Sequence, residues 1–190
     1  MTGHAYLDVR PTGATGGGRR VIAFAHRGGA YHPEIEGLEN TLAAFEHAVE
    51  LGYRYLETDV HLTAGVLLAF HDEVLGRVTD SAGEVAVLSH AEVRRARVGG
   101  RESVPTLVEL LDAFPDARFN IDLKSEGAVD ALAALVAERG EWDRLLVGSF
   151  SPARLRRFRR LTAGRVPTSA HPLEAAAFAL LPGRLADRLT

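Results

Sequence analysis

Two acidic residues two positions apart, Glu57 and Asp59, fall inside the apolar-rich run Tyr55–Thr63. In a strand, residues i and i+2 leave the same face, so the two carboxylates converge; oxygen donors placed this way suit one hard cation. The competing arrangement, an exposed edge strand, fits poorly with Leu56, Val60 and Leu62 around them, because unpaired acids among apolar neighbours are costly. Asp122 and Lys124 repeat the spacing in Arg118–Lys124, which gives either a third carboxylate with a cation or a salt bridge along one strand. His26-Arg27-Gly28 directly follows the apolar run 21–25. It offers an imidazole for proton transfer and a guanidinium whose fork of donors matches phosphate oxygens, although such a tripeptide could equally form a surface turn. His71-Asp72 ends the next apolar run. A second imidazole there could complete an acid and base pair about a phosphoryl centre, or sit in a turn beside a capping aspartate. His61 shares the face of Asp59 and is read as pocket lining, not as a ligand.

These residues sit at the ends of a regular alternation of elements. The run 21–25 is a short buried strand with its loop at the carboxyl end, and Asn40 or Thr41 caps a helix reaching Leu51, with Gly52 as its stop. Tyr55–Thr63 and Val66–Phe70 are strands separated by Ala64-Gly65, a hairpin signal. Ser89 caps a helix over Ala91–Val98, and Thr106 caps Leu107–Phe114. A strand at Arg118–Lys124 is followed by a helix at Ala128–Arg139, a strand at Leu145–Phe150 and a proline-led helix at Pro152–Leu161. A strand at Val166–Ala170 and a helix at Leu173–Leu181 complete the series. Alternation of this kind implies parallel βαβ units, in a barrel or an open doubly wound sheet.

The bulk properties narrow the classes. The 190 residues, 46% apolar and 25% charged, suffice for one substantial core. A net charge of −3 gives no footprint for nucleic acid or an anionic membrane, so phosphate recognition has to come from a local site. The absence of cysteine removes disulfides, zinc-thiolate sites and cysteine nucleophiles. No secretory h-region and no long apolar run are present, so no stable membrane insertion is expected and the cytoplasm is the expected compartment. Residues 1–20, with glycine and threonine concentrated between Pro11 and Arg20, read as a flexible lead-in to a domain spanning 21–190.

Taken in order, the motifs resemble those of the glycerophosphodiester phosphodiesterase family. They are His26-Arg27-Gly28, Glu39-Asn40-Thr41 with Ala44-Phe45, Glu57-Thr58-Asp59-Val60, His71-Asp72, Arg77-Val78-Thr79-Asp80, Val104-Pro105-Thr106-Leu107 and Asn120-Ile121-Asp122-Leu123-Lys124, with Ser149-Phe150 more weakly. The resemblance implies an α/β fold, a TIM-type (β/α) barrel with a small insertion after His71-Asp72. It implies hydrolysis of a small glycerophosphodiester to sn-glycerol 3-phosphate and an alcohol, with a divalent cation, Ca2+ or Mg2+. Carried over, Glu57, Asp59 and Asp122 hold the metal, His26 and His71 are the acid and base, and Arg27 and Lys124 contact the phosphate. Three departures stand out. Asp122 replaces the glutamate more usual in the family. Thr63-Ala64-Gly65 is one residue shorter than the usual turn, and a one-residue slip would turn His71 to the other face. About six of the eight barrel strands are counted, so the domain reads as incomplete at the C-terminus, with unclosed edges open to self-association. The alternatives are an inactive phosphate-binding remnant or fragment, and a lysophospholipase D-like activity on larger lipids.

Overall fold

The structure is a computed structural model that describes residues 4–7 and 22–180. Strand β1 (Phe24–His26) leads through a 3-10 turn at Pro33–Ile35 into helix α1 (Leu42–Glu50), followed by β2 (Tyr55–Thr63) and β3 (Val66–Ala69). A 3-10 turn at Leu75–Arg77, helix α2 (His90–Arg95) and the short strands β4 (Arg97–Val98) and β5 (Glu102–Ser103) come next. Helix α3 (Leu107–Ala113), β6 (Arg118–Leu123), α4 (Glu126–Arg139), β7 (Leu145–Gly148), α5 (Pro152–Leu161) and α6 (Pro172–Leu180) complete the described chain.

Local chemistry sets these boundaries. Thr41, not Asn40, caps α1: its Oγ1 accepts the Ala44 N–H at 3.2 Å. Ser89 with Glu92, and Thr106 with Glu109, close reciprocal capping boxes on α2 and α3. The helix begun at Ser89 stops at Arg95, short of the expected Val98, because Ala96 turns extended and Arg97–Val98 pair with Glu102–Ser103. Helix α4 ends on Gly140 in the left-handed region.

β1, β2, β6 and β7 form a parallel sheet in that order, an open arc of a TIM-type α/β barrel. Two of the six strand-like runs depart from this parallel arc. The two-residue turn Ala64-Gly65 makes β3 the antiparallel arm of a hairpin on the far end of β2, with Thr63 opposite Val66. The run 166–170 contributes only the parallel bridge Val147 to Thr168, since Pro167 has no N–H to extend the ladder.

On the outer face of the arc, Leu56, Val60, Phe119, Ile121 and Leu123 pack with Phe45, Leu110, Leu132 and Val136 of the helices. Each such fully buried side chain contributes about 1.5–3 kcal/mol. The alternate residues of the same strands, including Glu57, Asp59, Asn120 and Asp122, therefore face the barrel interior. A separate small core joins Leu68 and Phe70 to Leu75, Val85, Val93, Ala96, Val98 and Val104, which is the insertion expected after His71-Asp72. Within the stretch read as a flexible lead-in, Ala5–Leu7 form a 3-10 turn whose Tyr6 is fully buried. Its ring meets Tyr55 edge-on at 5.3 Å, so this segment packs on the domain; the glycine-rich stretch from Pro11 to Arg20 lies outside the described residues.

Candidate active site

The strand register stacks the chemistry in two layers. His26 stands opposite Glu57 and Glu57 opposite Asn120, while one step further along Asp59 stands opposite Asp122 and Asp122 opposite Gly148. These positions lie toward the carboxyl ends of parallel strands, where α/β barrels place their sites. All seven residues singled out in the sequence (His26, Arg27, Glu57, Asp59, His71, Asp122 and Lys124) line one cleft of about 490 Å³. Asn120, Ser149, Phe150 and Ser169 complete much of the wall. Gly148 keeps it open, since a Cβ there would stand 3.0 Å from Ser169 Oγ and 3.6 Å from Asp122 Oδ1.

The loop after β1 is held by close packing and by the acids. Gly28 has φ +79°, and a Cβ on it would come within 2.9 Å of the Ala44 Cβ, so only glycine lets this loop lie on α1. Arg27 also takes a left-handed φ of 50°, held there by its N–H donating to Glu57 Oε2 at 2.9 Å. Its guanidinium donates to Glu39 Oε1 at 3.1 Å and lies 3.3 Å from Asp59 Oδ2. Asn40, left-handed at φ 58°, donates to Asp59 Oδ2 at 3.2 Å and accepts from Thr58 Oγ1 at 2.8 Å.

Despite the shortened hairpin turn, His71 lines the cleft. Phe70 N donates to Asp59 O at 3.0 Å, and His61 Nε2 lies 3.1 Å from His71 O, so one backbone and one side-chain contact from β2 fix the segment after β3. His61 is thus a buried support and, contrary to its reading as pocket lining, does not line the cleft, because its ring is turned to the His71 carbonyl. His71 Nδ1 lies 2.5 Å from Asp72 Oδ1, and because Asp72 is an acceptor that nitrogen carries the proton. Arg77 donates to Asp72 through Nε and forks onto Glu39 at 2.5 and 2.9 Å. A continuous ion-pair chain therefore links His71, Asp72, Arg77, Glu39, Arg27 and Asp59.

Charge in the cleft is concentrated enough to shift titrations. Burial, then repulsion from Asp59 with a smaller push from Asp122, raises Glu57 to about 7. Burial followed by the Arg27 charge holds His26 below its ordinary range. For Lys124 burial alone would lower the value, but its bonds to Asp122 Oδ2 at 2.5 Å and Asp59 Oδ1 at 3.0 Å outweigh it and raise it. Burial opposes the ionised form of Asp72 as well, yet Arg77 and His71 hold it low.

The donor set fits a hard divalent cation. Three carboxylates meet in one cleft, one of them pushed upward by burial and then by its acidic neighbours, and Asn120 Oδ1 is buried with no hydrogen-bond partner beside them. Lys124 lies between Asp59 and Asp122 and supplies positive charge at that point. Asn120 sits two positions before Asp122 on the same face, and its neutral amide carries no charge signal in the sequence to mark it. The pairing of Glu39 with Arg77 spans 38 residues and carries no local periodic signal.

An open parallel arc with acids, imidazoles and bases at its carboxyl ends defines a TIM-type barrel enzyme site. The chain belongs to the glycerophosphoryl diester phosphodiesterase family, which residues 26–177 match. It is 41% identical over 155 residues to the probable glycerophosphodiester phosphodiesterase 2 of Mycobacterium tuberculosis, covering 81% of this chain and 57% of that protein. The fold matches the glycerophosphoryl diester phosphodiesterase domain of another M. tuberculosis protein with a TM-score of 0.70 at 22% identity, over 83% of this chain and 63% of that one. An Oleispira antarctica phosphodiesterase solved with the product sn-glycerol-3-phosphate matches with a TM-score of 0.65 at 26% identity, over 90% of this chain and 70% of that one. The chain therefore spans less than two thirds of the length of the first two.

Proposed function

We propose that this chain carries the site for metal-dependent hydrolysis of a small glycerophosphodiester, releasing sn-glycerol 3-phosphate and an alcohol. The observation that carries the reading is the convergence of all seven candidate residues on one cleft of about 490 Å³. Glu57, Asp59 and Asp122, with Asn120 beside them, are the residues that would hold Ca2+ or Mg2+. Bound there, the ion would neutralise charge on a phosphoryl oxygen. Lys124, held between two of the carboxylates, offsets charge on a neighbouring oxygen. Arg27 presents its fork from the loop after β1, and Glu39 and Asp59 fix its orientation.

The two imidazoles move the protons: one takes a proton from the attacking water as its oxygen bonds to phosphorus, and the other gives one to the alkoxide as the ester bond to it breaks. Asp72 keeps the Nδ1 proton of His71 turned away from the reacting atoms, which leaves Nε2 for the transfer. His26, held below its ordinary range, stays neutral near pH 7 and can accept a proton there. The complex of the Oleispira relative with sn-glycerol-3-phosphate supports the same product class for this cleft. The test is release of glycerol 3-phosphate from glycerophosphocholine with Ca2+, Mg2+ or chelator. Metal-dependent release that disappears in His26→Ala supports the reading, whereas a folded, metal-loaded chain that releases none refutes it.

A further inference from the structure

Around the loop that follows His26, a second group of ligating side chains comes together. His32 caps the 3-10 turn Pro33–Ile35, and His47 projects from the middle of α1. Their rings lie 4.5 Å apart centre to centre, with His47 Nε2 3.2 Å from His32 Nδ1. Glu34 stands beside them, its Oε2 3.6 Å from His47 Nδ1. One donor atom from each of the three residues falls within a 4.8 Å span.

We propose that His32, His47 and Glu34 bind a borderline divalent cation of the Zn2+ type at a site separate from the carboxylate cleft. Two imidazoles and a carboxylate are the ligand class such ions select, whereas Ca2+ and Mg2+ favour oxygen alone. With bonds of about 2.0–2.1 Å in a tetrahedral arrangement, two nitrogens stand about 3.3 Å apart, close to the 3.2 Å between these rings. The frame is already set: Pro33 restricts the turn behind His32, and the His47 ring is largely enclosed. The Glu34 N–H contact to His32 Nδ1 is long, at 3.3 Å, and a metal bond would replace it. The Glu34 side chain is 73% exposed, so it turns onto the ion without disturbing the core, and water fills the fourth position. A neighbouring cleft of about 340 Å³, lined by His32 and His47, provides entry. An ion here ties the loop bearing Tyr31, whose ring stacks on His26 at 5.9 Å, to helix α1.

The test is titration of metal-free protein with Co2+ while excess Mg2+ occupies hard-oxygen sites, read by visible absorption. One equivalent is expected to give the intense bands of a four-coordinate imidazole site. Those bands should be lost in His47→Ala and His32→Ala, with affinity falling more than the ~10–100-fold typical of losing an outer-shell partner, and retained in Asp122→Asn. Zn2+ titration of the unaltered chain, followed by imidazole proton NMR, guards against misfolded variants: the His32 and His47 signals should move before those of His26 and His71. Absence of visible bands overturns the proposal, as does their persistence in His47→Ala or first movement of the His26 signal. A bare hydrogen bond between the two rings would give the first of these results.

Discussion

The two ends of strand β2 share one inward face and use it in opposite ways. At the amino end Tyr55 meets Tyr6 edge-on at 5.3 Å and Phe24 at 5.2 Å, and its hydroxyl donates to Tyr6 O at 2.7 Å. Two residues along the same face stands Glu57, pushed up to about 7, and two further Asp59, buried among charges. The lower end is a closed aromatic plug whose gain is stability. The upper end holds like charges together at a cost to stability, which is the expected signature of a site shaped for binding.

Substitutions at the two ends should therefore separate activity from stability. Glu57→Gln is expected to lower glycerophosphocholine hydrolysis by about 10³-fold, as removal of a charge-stabilising group does. The same change should leave the metal-free protein at least as stable at pH 7, since Gln cannot be repelled by Asp59 and Asp122. Thermal melting with parallel assay decides this, and a large loss of stability would break the contrast. Tyr6→Ala should do the reverse: deleting a fully buried ring costs about 3–5 kcal/mol, while activity per folded molecule is preserved. A drop in the activity of the folded fraction would mean that the plug also positions the upper end.

The contrast has a pH signature. Glu57 binds its proton more tightly when folded, near 7, than at its ordinary 4.5. The stability it contributes is therefore fully present below pH 4.5 and lost as pH rises through 7, a fall of up to about 3 kcal/mol. Denaturant melts of metal-free protein between pH 4.5 and 8 should show that slope relative to Glu57→Gln. Saturating Ca2+ or Mg2+ should flatten it, because the cation substitutes for the proton. A slope unchanged by either ion would separate Glu57 from metal binding.

The upper end was the more legible of the two. A period of two pairs Glu57 with Asp59 and Asp122 with Lys124 within their own strands, the family resemblance joins the two sets, and strand ends preceding glycine or aspartate mark His26 and His71. Threonine and serine caps mark where α1, α2 and α3 begin because their partners lie three residues away, whereas the end of α2 depends on the distant pairing of Arg97–Val98. The lower end gave no such signal: Tyr6 stands in the three-residue apolar run Ala5–Leu7, too short for a periodic pattern, and its partner Tyr55 is 49 residues distant. The same holds for Arg77 and Glu39, which meet only through the fold of the insertion. Local periodicity reports which face a residue takes, not which distant side chain waits there.

The smallest effect tests how the upper end holds its register. Ala64 and Gly65 have φ values of 45° and 81°, the two left-handed residues that a type I′ hairpin turn requires. Alanine is strained in that region, whereas asparagine is favoured, so Ala64→Asn should stabilise by about 1 kcal/mol and raise the melting temperature by about 2–4 °C. Hydrolysis should be unchanged, because the Thr63 to Val66 pairing and the Phe70 N–H bond to Asp59 O already deliver His71 to the cleft. A melting gain accompanied by loss of activity would mean that the strained turn, not the ladder behind it, sets the position of His71. The one-residue shortening would then be part of the catalytic geometry, and strain as well as charge would distinguish the upper end of β2 from the lower.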